Sequence, residues 1–462
     1  MSRGVSLALI FVGLLAAHLC HLDIVWVEEG YPSAAAIQIL YGKALYQDVW
    51  FDKPPISPFL YLLWGARTGW PLRLAGAVFV WLCCLMAYRL ACHIWSEREG
   101  MAAALLLAFF LTFGIPSAVM ALAPDLLTIL PHLAVIYFAW CRCPFLAGLV
   151  AGVALLVNPR GIYVFAACFL WLRYRDFAKC ALAFLLPNIA ALAWFGKPYL
   201  DEVWKWGLIY AGHTFVDRPA LEGLLRTLNW LGFQSALVAG AAWWIWRERS
   251  PDRMRAGLWA VVMLCGVTAG WRFFPRYYFL LLVPFVIMAA RGYVLMGTRR
   301  AILLALLLIP LVRFGPRYLE LASDFAHARP HEWSDLAMME DSEAASRMIR
   351  AGGAGGTLFV WGYRPDVFAL TRMEAGTRFL DSQPLTGVIA DRHLTSSEAL
   401  APEWAGRNRH DLLLARPTYI ADGLGLYNPN LAITNYPDLN DWLRNYSEIG
   451  RTEHTIVYRL LP

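Results

Sequence analysis

Charged residues are scarce in this sequence, and this scarcity sets the class of protein. Of its 462 residues, 16% are charged and 59% are hydrophobic, and the mean hydropathy is +0.48. Soluble domains seldom carry so large an apolar share, whereas a membrane-spanning helix needs about 20 predominantly apolar residues. The composition therefore excludes an ordinary soluble protein and predicts a polytopic α-helical membrane protein.

Lysine and cysteine are both missing from the last third of the chain. Residues 316–462 contain 14 arginines and 19 acidic residues, a net charge of −5, but no lysine and no cysteine. The preceding residues hold 26 basic and 15 acidic side chains, a net charge of +11. Without cysteine, this tail cannot be held by disulfide bonds. The charge asymmetry indicates two compartments, so the basic balance is a sign of membrane topology and not of nucleic-acid binding.

Apolar runs before residue 316 predict about eleven membrane spans. They cover residues 4–22, 72–94, 101–116, 125–141, 144–157, 161–172, 180–196, 231–246, 256–270, 277–291 and 300–315. Lysine and arginine cluster in connections such as 173–179 and 247–255, which places these connections and the N-terminus in the cytoplasm. With an odd number of spans, the acidic tail then lies outside the cytoplasm.

The chain is therefore predicted to consist of a transmembrane domain, residues 1–315, and a small extracytoplasmic (periplasmic) α/β domain, residues 316–462. In the tail, period-2 and apolar patterns predict strands at 357–361, 417–420 and 454–458, and helices at 335–351 and 438–445.

Residues 23–56, predicted to form the first loop outside the cytoplasm, carry several acids. The charged and polar residues are the pair Glu28 and Glu29, followed by Tyr46, Asp48, Asp52 and Lys53. Between them, residues 32–41 predict a short interfacial helix that begins at Pro32 and ends before Gly42. A carboxylate at this position can serve as a general base.

Later outward loops carry another acid and three arginines. Asp125 stands at the head of a span, either as a helix N-cap or as a functional acid entering an apolar helix. Arg160 follows Asn158-Pro159 and either faces a protein cavity or is an ordinary snorkelling arginine in a tight turn. Arg272 and Arg276 lie in an aromatic belt, which explains the rings but not the charges. Arginines can hold a phosphate by forked hydrogen bonds.

This pattern resembles the GT-C integral-membrane glycosyltransferases, in the bacterial branch related to protein O-mannosyltransferases and the lipid A aminoarabinose transferase. The residues that carry the resemblance are Glu28-Glu29, Gly42, Tyr46-Gln47-Asp48, Asp52-Lys53-Pro54-Pro55, Asp125, Arg160 and Arg276-Tyr277-Tyr278. The sequence departs from the family in two respects. The usual first-loop pair is Asp-Glu instead of Glu-Glu, and several members have thirteen spans.

The resemblance implies a catalytic transmembrane domain that transfers a hexosyl or pentosyl group from a polyprenyl-phosphate donor, with inversion. The acceptor would be a glycan, lipid or protein on the outer side of the cytoplasmic membrane. Glu28 would be the base, with Glu29 as the alternative, and Asp125 the orienting partner. The donor phosphate would be bound by Arg160, Arg272, Arg276, Tyr277 and Lys53. Tyr46, Asp48 and Asp52 would shape the site loop.

The resemblance implies no certain cofactor, although Glu28 and Asp52 are candidate ligands for a divalent metal ion. The expected partners are the lipid-linked donor, an acceptor and membrane lipids, without nucleic acid. The alternative class is a transporter or flippase of lipid-linked sugars. Such proteins commonly show paired repeats and interrupted helices in both halves, and no such symmetry is visible in this sequence.

Overall fold

The computed structural model describes residues 2–214, 218–330, 332–353 and 355–462, and it is mainly helical. The described residues pack as two compact units. The first unit is formed by 2–22, 73–194 and 218–330, and the second by 23–72, 195–214 and 332–462. The predicted division into residues 1–315 and 316–462 stays a prediction about domains.

The first unit is built from α-helices with short 3₁₀ turns. The helices are Arg3–Leu19, Trp70–Ile94, Glu97–Phe110, Pro116–Val119, Pro124–Leu127, Ile129–Trp140, Pro144–Val157, Gly161–Cys168, Phe177–Tyr199, Pro219–Phe233, Ser235–Arg247, Pro251–Thr268, Phe279–Leu295, Arg300–Leu306, Leu308–Phe314 and Pro316–Ala326. Small residues allow close packing of membrane helices. A Cβ atom added to Gly292 would overlap the carbonyl group of Gly240. The helices Ser235–Arg247 and Phe279–Leu295 therefore touch backbone to backbone at these glycines.

Helices occur at all eleven predicted spans, but their lengths differ. Among the described residues, Trp70–Ile94, Tyr174–Gly212 and Pro275–Leu295 are long and apolar enough to cross a membrane. A fourth is added if Gly297–Phe314 and Pro316–Ala326, bent by 50°, count as one span. The predicted number of eleven spans therefore stays a prediction.

A five-stranded sheet forms the centre of the second unit. Its strands are β1 (Thr357–Trp361), β2 (Glu374–Ala375), β3 (Tyr419–Asp422), β4 (Tyr446–Arg451) and β5 (Ile456–Leu460), in the order β2-β1-β3-β5-β4. β1 pairs in parallel with β2 and β3, whereas β5 pairs antiparallel with β3 and β4. The strand predicted at 357–361 is confirmed. The strands predicted at 417–420 and 454–458 begin later, at Tyr419 and Ile456.

Helices surround this sheet. In the second unit they are Val27–Leu40, Ile56–Tyr61, the π-helix Leu200–Lys205, Trp206–Gly212, Leu336–Ala351, Asp366–Thr371, Gln383–Thr386, Pro402–Leu412 and Asn440–Leu443. The helix predicted at 335–351 is confirmed, whereas the one predicted at 438–445 is reduced to one turn. Buried residues such as Phe359, Trp361 and Ile420 form the core on which the helices pack.

The first-loop helix begins earlier than predicted, at Val27, and ends at Leu40. Its N-cap residue is Trp26, so Glu28 and Glu29 lie in its first turn, where the helix dipole favours negative charge. The Gln38 side chain accepts a hydrogen bond from Ala375 N–H at 2.7 Å and donates one to Met373 O at 3.2 Å. This helix is therefore fixed to the strand β2 region.

Gly30 marks the closest approach of that helix to the helix Asp366–Thr371. A Cβ added at Gly30 would lie 2.9 Å from Asp366 N, so we expect Gly30→Ala to lower the free energy of unfolding by about 1–3 kcal/mol. Thermal unfolding of the purified protein, followed by tryptophan fluorescence, measures the change. Gly207→Ala is the control, because an added Cβ there meets nothing within 4 Å. Equal unfolding temperatures for the two variants would contradict the packing argument.

Candidate functional site

In the first unit, Asp125 accepts contacts from two arginines. Its Oδ2 lies 3.3 Å from Arg276 Nε, and its Oδ1 lies 4.0 Å from Arg160 Nη1. The helix that carries it begins after Ala123, which occupies the N-cap position, and Asp125 stands in the first turn. The N-cap interpretation of Asp125 is therefore wrong, and its carboxylate instead joins two guanidinium groups.

Asn158 connects the acid to the turn that carries Arg160. Its Nδ2 donates to Asp125 Oδ1 at 2.9 Å, and its Oδ1 accepts the Arg160 backbone N–H at 3.0 Å. The Arg160 guanidinium lies 3.3 Å from the centroid of the Tyr277 ring, and its Nε donates to Gly266 O at 3.2 Å. Arg160 is thus fixed on three sides within the protein.

These groups border one pocket that charged, polar and apolar side chains line together. It is lined by Asp125, Thr128, Ile129, His132, Asn158, Arg160, Arg276, Tyr277, Phe279 and Leu280. The buried His132 accepts a hydrogen bond from Trp259 Nε1 at 2.9 Å.

A strained loop carries Arg272 and leads to Arg276. Trp271 and Phe273 both have a φ of 51°, a left-handed conformation that costs side chains of L-residues about 1–2 kcal/mol each. Arg226 Nη1 donates to Arg272 O at 3.1 Å and so helps to hold the loop. The Arg272 side chain is buried and does not line the pocket, in contrast to Arg276.

In the second unit, the first-loop acids differ in exposure. Glu28 is partly exposed, whereas Glu29 is fully buried. Asp48 Oδ2 accepts the Ala44 N–H at 2.9 Å and closes a turn. The buried Tyr46 has a φ of 69°, and its hydroxyl donates to Lys53 O at 2.8 Å. Tyr46 and Asp48 therefore shape the loop.

Asp52 and Lys53 form an ion pair with Nζ and Oδ2 at 3.1 Å, and the Asp52 side chain is 4% exposed. The backbone N–H of Asp52 donates to the Tyr31 hydroxyl at 3.2 Å. Nearby, Asp381 is fully buried, and burial together with the Asp52 charge raises its pKa from 3.8 to about 7. One Asp381 oxygen accepts Gln383 N–H at 2.7 Å, and the other has no hydrogen-bond partner among the described residues.

Within the described parts of the chain, no group of three or more His, Cys, Asp or Glu side chains is arranged to hold a metal ion. The predicted metal ligand Asp52 is instead paired with Lys53.

Known proteins were compared with this chain in sequence and in structure. No protein-family model matches the sequence, and none of the curated proteins matches it. Crystal structures of ArnT from Cupriavidus metallidurans, bound to undecaprenyl phosphate and in the apo state, each match with a TM-score of 0.58 and 14% identity, covering 99% of this chain and 98% of ArnT. The apo oligosaccharyltransferase of Archaeoglobus fulgidus matches with a TM-score of 0.50 and 14% identity. The match covers 92% of this chain and 70% of the oligosaccharyltransferase.

The chain has the GT-C fold. This is the fold of polytopic membrane glycosyltransferases, so the resemblance inferred from the motifs is confirmed at the level of the fold. The match extends over almost the entire length of ArnT. The small sheet in the second unit therefore belongs to the part of this GT-C chain that the similarity covers.

In this GT-C chain, four of the predicted site residues meet in one place: Asp125, Arg160, Arg276 and Tyr277 line the same pocket. Glu28, Glu29, Tyr46, Asp48, Asp52 and Lys53 belong to the second unit. Sequence reasoning missed Asn158 and His132 as site residues. A signal for His132 was present, since it follows Asp125 by seven residues, which is two helical turns.

The raised pKa of Asp381 predicts a pH-dependent stability. Because the folded state holds this proton more tightly than the unfolded state, wild-type stability falls as the pH rises from about 4 to about 7. Asp381→Asn imitates the protonated acid, so we expect its advantage in unfolding temperature over wild type to widen between pH 5 and pH 7.

Asp441→Asn is the control, since the Asp441 side chain is 91% exposed. Its difference from wild type should be the same at both pH values. A constant difference between Asp381→Asn and wild type would show that Asp381 does not titrate in this range.

Proposed function

We propose that the chain is a membrane glycosyltransferase that moves a sugar from a polyprenyl-phosphate donor to an acceptor on the outer side of the cytoplasmic membrane. The observation that carries the proposal is the convergence of Arg160 and Arg276 on Asp125 at a pocket that apolar side chains also line, in a chain with the GT-C fold. ArnT, which shares the fold, binds undecaprenyl phosphate in its structure. This supports a lipid-linked phosphate as the donor.

The two arginines would bind the donor phosphate. Guanidinium groups present a planar fork that matches phosphate oxygens, and negative charge grows on those oxygens as the sugar leaves. The Arg160 guanidinium packs on the Tyr277 ring, and the contacts of Arg160 and Arg276 with Asp125 orient both guanidinium groups. Lys53 would add a further cation. Because Arg272 is buried, we assign it to holding the loop that carries Arg276.

Glu28 would act as the general base. A base must reach the acceptor, and Glu28 is partly exposed whereas Glu29 is buried. The acceptor hydroxyl gives its proton to the Glu28 carboxylate, and its oxygen forms a bond to the anomeric carbon of the sugar. The bond from that carbon to the phosphate oxygen breaks on the opposite face, and the lipid phosphate leaves with the electron pair. The configuration is inverted.

The residues proposed for a divalent metal ion do not form a ligand group of three or more among the described residues. Asp52 Oδ2 is paired with Lys53, and the buried Asp52 Oδ1, which has no hydrogen-bond partner among those residues, is the one oxygen of this carboxylate that is open to a cation. No step of the proposed reaction passes through a metal.

The phosphate assignment predicts a loss of donor affinity when the forked hydrogen bonds are removed. Arg160→Lys and Arg276→Lys keep the charge but lose the fork, so each should weaken binding of undecaprenyl phosphate in lipid nanodiscs by about tenfold or more. Arg444→Lys is the control, because Arg444 is an exposed residue paired with Asp441. Unchanged affinity in both site variants would contradict the phosphate assignment.

The base assignment predicts that Glu28→Gln abolishes transfer while the protein still folds in the membrane. The measurement is mass spectrometry of envelope glycolipids and glycans from cells that produce the wild type, each variant or no protein. A wild-type-dependent mass increase of one sugar residue identifies the acceptor. Asp441→Asn, at an exposed pair, should preserve that product. If Glu28→Gln and Glu29→Gln both yield the full amount of product, the mechanism is wrong.

A further inference from the structure

An ion pair between the buried Glu202 and the partly exposed Arg378 holds the first-loop segment that leads to Asp52 and Lys53. Glu202 lies in the π-helix Leu200–Lys205, and its side chain is 3% exposed. Its Oε2 accepts the Phe51 N–H at 2.9 Å, and its Oε1 accepts from Arg378 Nη2. One carboxylate thus binds both the loop backbone and an arginine.

Arg378 holds the same segment at two other points. Its Nη2 donates to Tyr46 O at 2.8 Å, and its own carbonyl accepts the Trp50 N–H at 2.7 Å. The guanidinium also lies 5.9 Å from the centroid of the Trp50 ring. Together with Glu202, it fixes the backbone at Tyr46, Trp50 and Phe51.

The fixed segment contains a strained residue. Tyr46 has a φ of 69°, a conformation that a non-glycine residue keeps only where its surroundings impose it. The hydroxyl of the same residue donates to Lys53 O, so the position of Tyr46 is transmitted directly to Lys53.

Apolar packing also anchors this segment, at Tyr46, Trp50 and Phe51. The Trp50 ring makes edge contacts with Trp206 at 6.0 Å and Trp404 at 5.9 Å between ring centroids, Phe51 stacks on Tyr31 at 4.8 Å, and Tyr46 meets Phe195 at 5.0 Å. This packing holds the three rings, whereas the backbone carbonyl of Tyr46 and the N–H of Phe51 are bonded by Arg378 and Glu202. Burying a carboxylate is costly in free energy, and an apolar residue would pack at lower cost. The presence of a carboxyl group at this position is therefore explained by the directed hydrogen bonds that it accepts.

We propose that Glu202 and Arg378 are positioning residues that keep residues 46–53 in the conformation that presents Lys53 to the donor phosphate. The proposal rests on the function proposed above. Neither residue needs to touch the donor, since both act through the backbone of the first loop.

The test uses hydrogen–deuterium exchange of the full chain in nanodiscs, with undecaprenyl phosphate affinity as a second readout. Glu202→Ala removes the acceptor of the Phe51 N–H, and Arg378→Ala removes the donor to Tyr46 O. Each should speed exchange in peptides covering 46–53 by about tenfold and weaken lipid-phosphate binding by a similar factor, while β1 stays protected. Glu202→Gln, which keeps an acceptor for Phe51, should fall between Glu202→Ala and wild type, and it replaces Glu202→Ala if the latter does not fold.

Asp201→Asn is the matched control, since Asp201 precedes Glu202 in the same helix but pairs with the exposed Lys205. It should leave both readouts unchanged. Unchanged exchange at 46–53 in Glu202→Ala and Arg378→Ala overturns the proposal, as does faster exchange with unaltered lipid-phosphate affinity. If wild type itself does not bind undecaprenyl phosphate, the donor assignment fails and with it the presentation of Lys53, while the exchange data still report whether the ion pair holds the loop.

Discussion

The carboxylate of Asp125 is the interaction on which the first-unit site depends. Two guanidinium groups, those of Arg160 and Arg276, approach it in a pocket that apolar side chains also line. Without a counter-charge, two like charges in such surroundings would repel each other and lose hydration. Asp125 removes this cost and sets the separation of the two arginines. The Asn158 amide, the Tyr277 ring and the loop at 270–278 are arranged around this pair of contacts.

In the second unit, side-chain hydrogen bonds hold an irregular loop in one conformation. Its first-loop helix is joined to strand β2 by the Gln38 side chain, and the segment after that helix is joined to Glu202 and Arg378. Loops usually owe their mobility to exposed backbone hydrogen bonds and few buried contacts. Here the backbone groups are bonded to buried side chains, so the part of the loop that contains Asp52 and Lys53 has the character of a core element.

Asp125, Arg160 and Arg276 could be singled out in the sequence because each stands at the end of an apolar run, where a charge is conspicuous. The predicted topology places the ends of these runs on the same side of the membrane. Asn158 was not recognised because an asparagine before proline is also an ordinary turn residue. Glu202 could not be paired with Arg378, since local periodicity contains no information on contacts between residues so distant in sequence. The edge strand β4 was missed because its mostly exposed, polar residues lack an apolar face.

The direct contact between Gly240 and Gly292 has a mechanical consequence. At these two glycines the helices Ser235–Arg247 and Phe279–Leu295 meet through their backbones, so no side chain separates them at this point. We expect the two helices to move together as one rigid element. Arg276 and Tyr277 lie in the short turn before the helix Phe279–Leu295, so we expect them to move with that helix. We therefore expect a movement that admits or releases a ligand at this end of the first unit to bend the turns at 158–161 or 270–274, where the backbone is irregular.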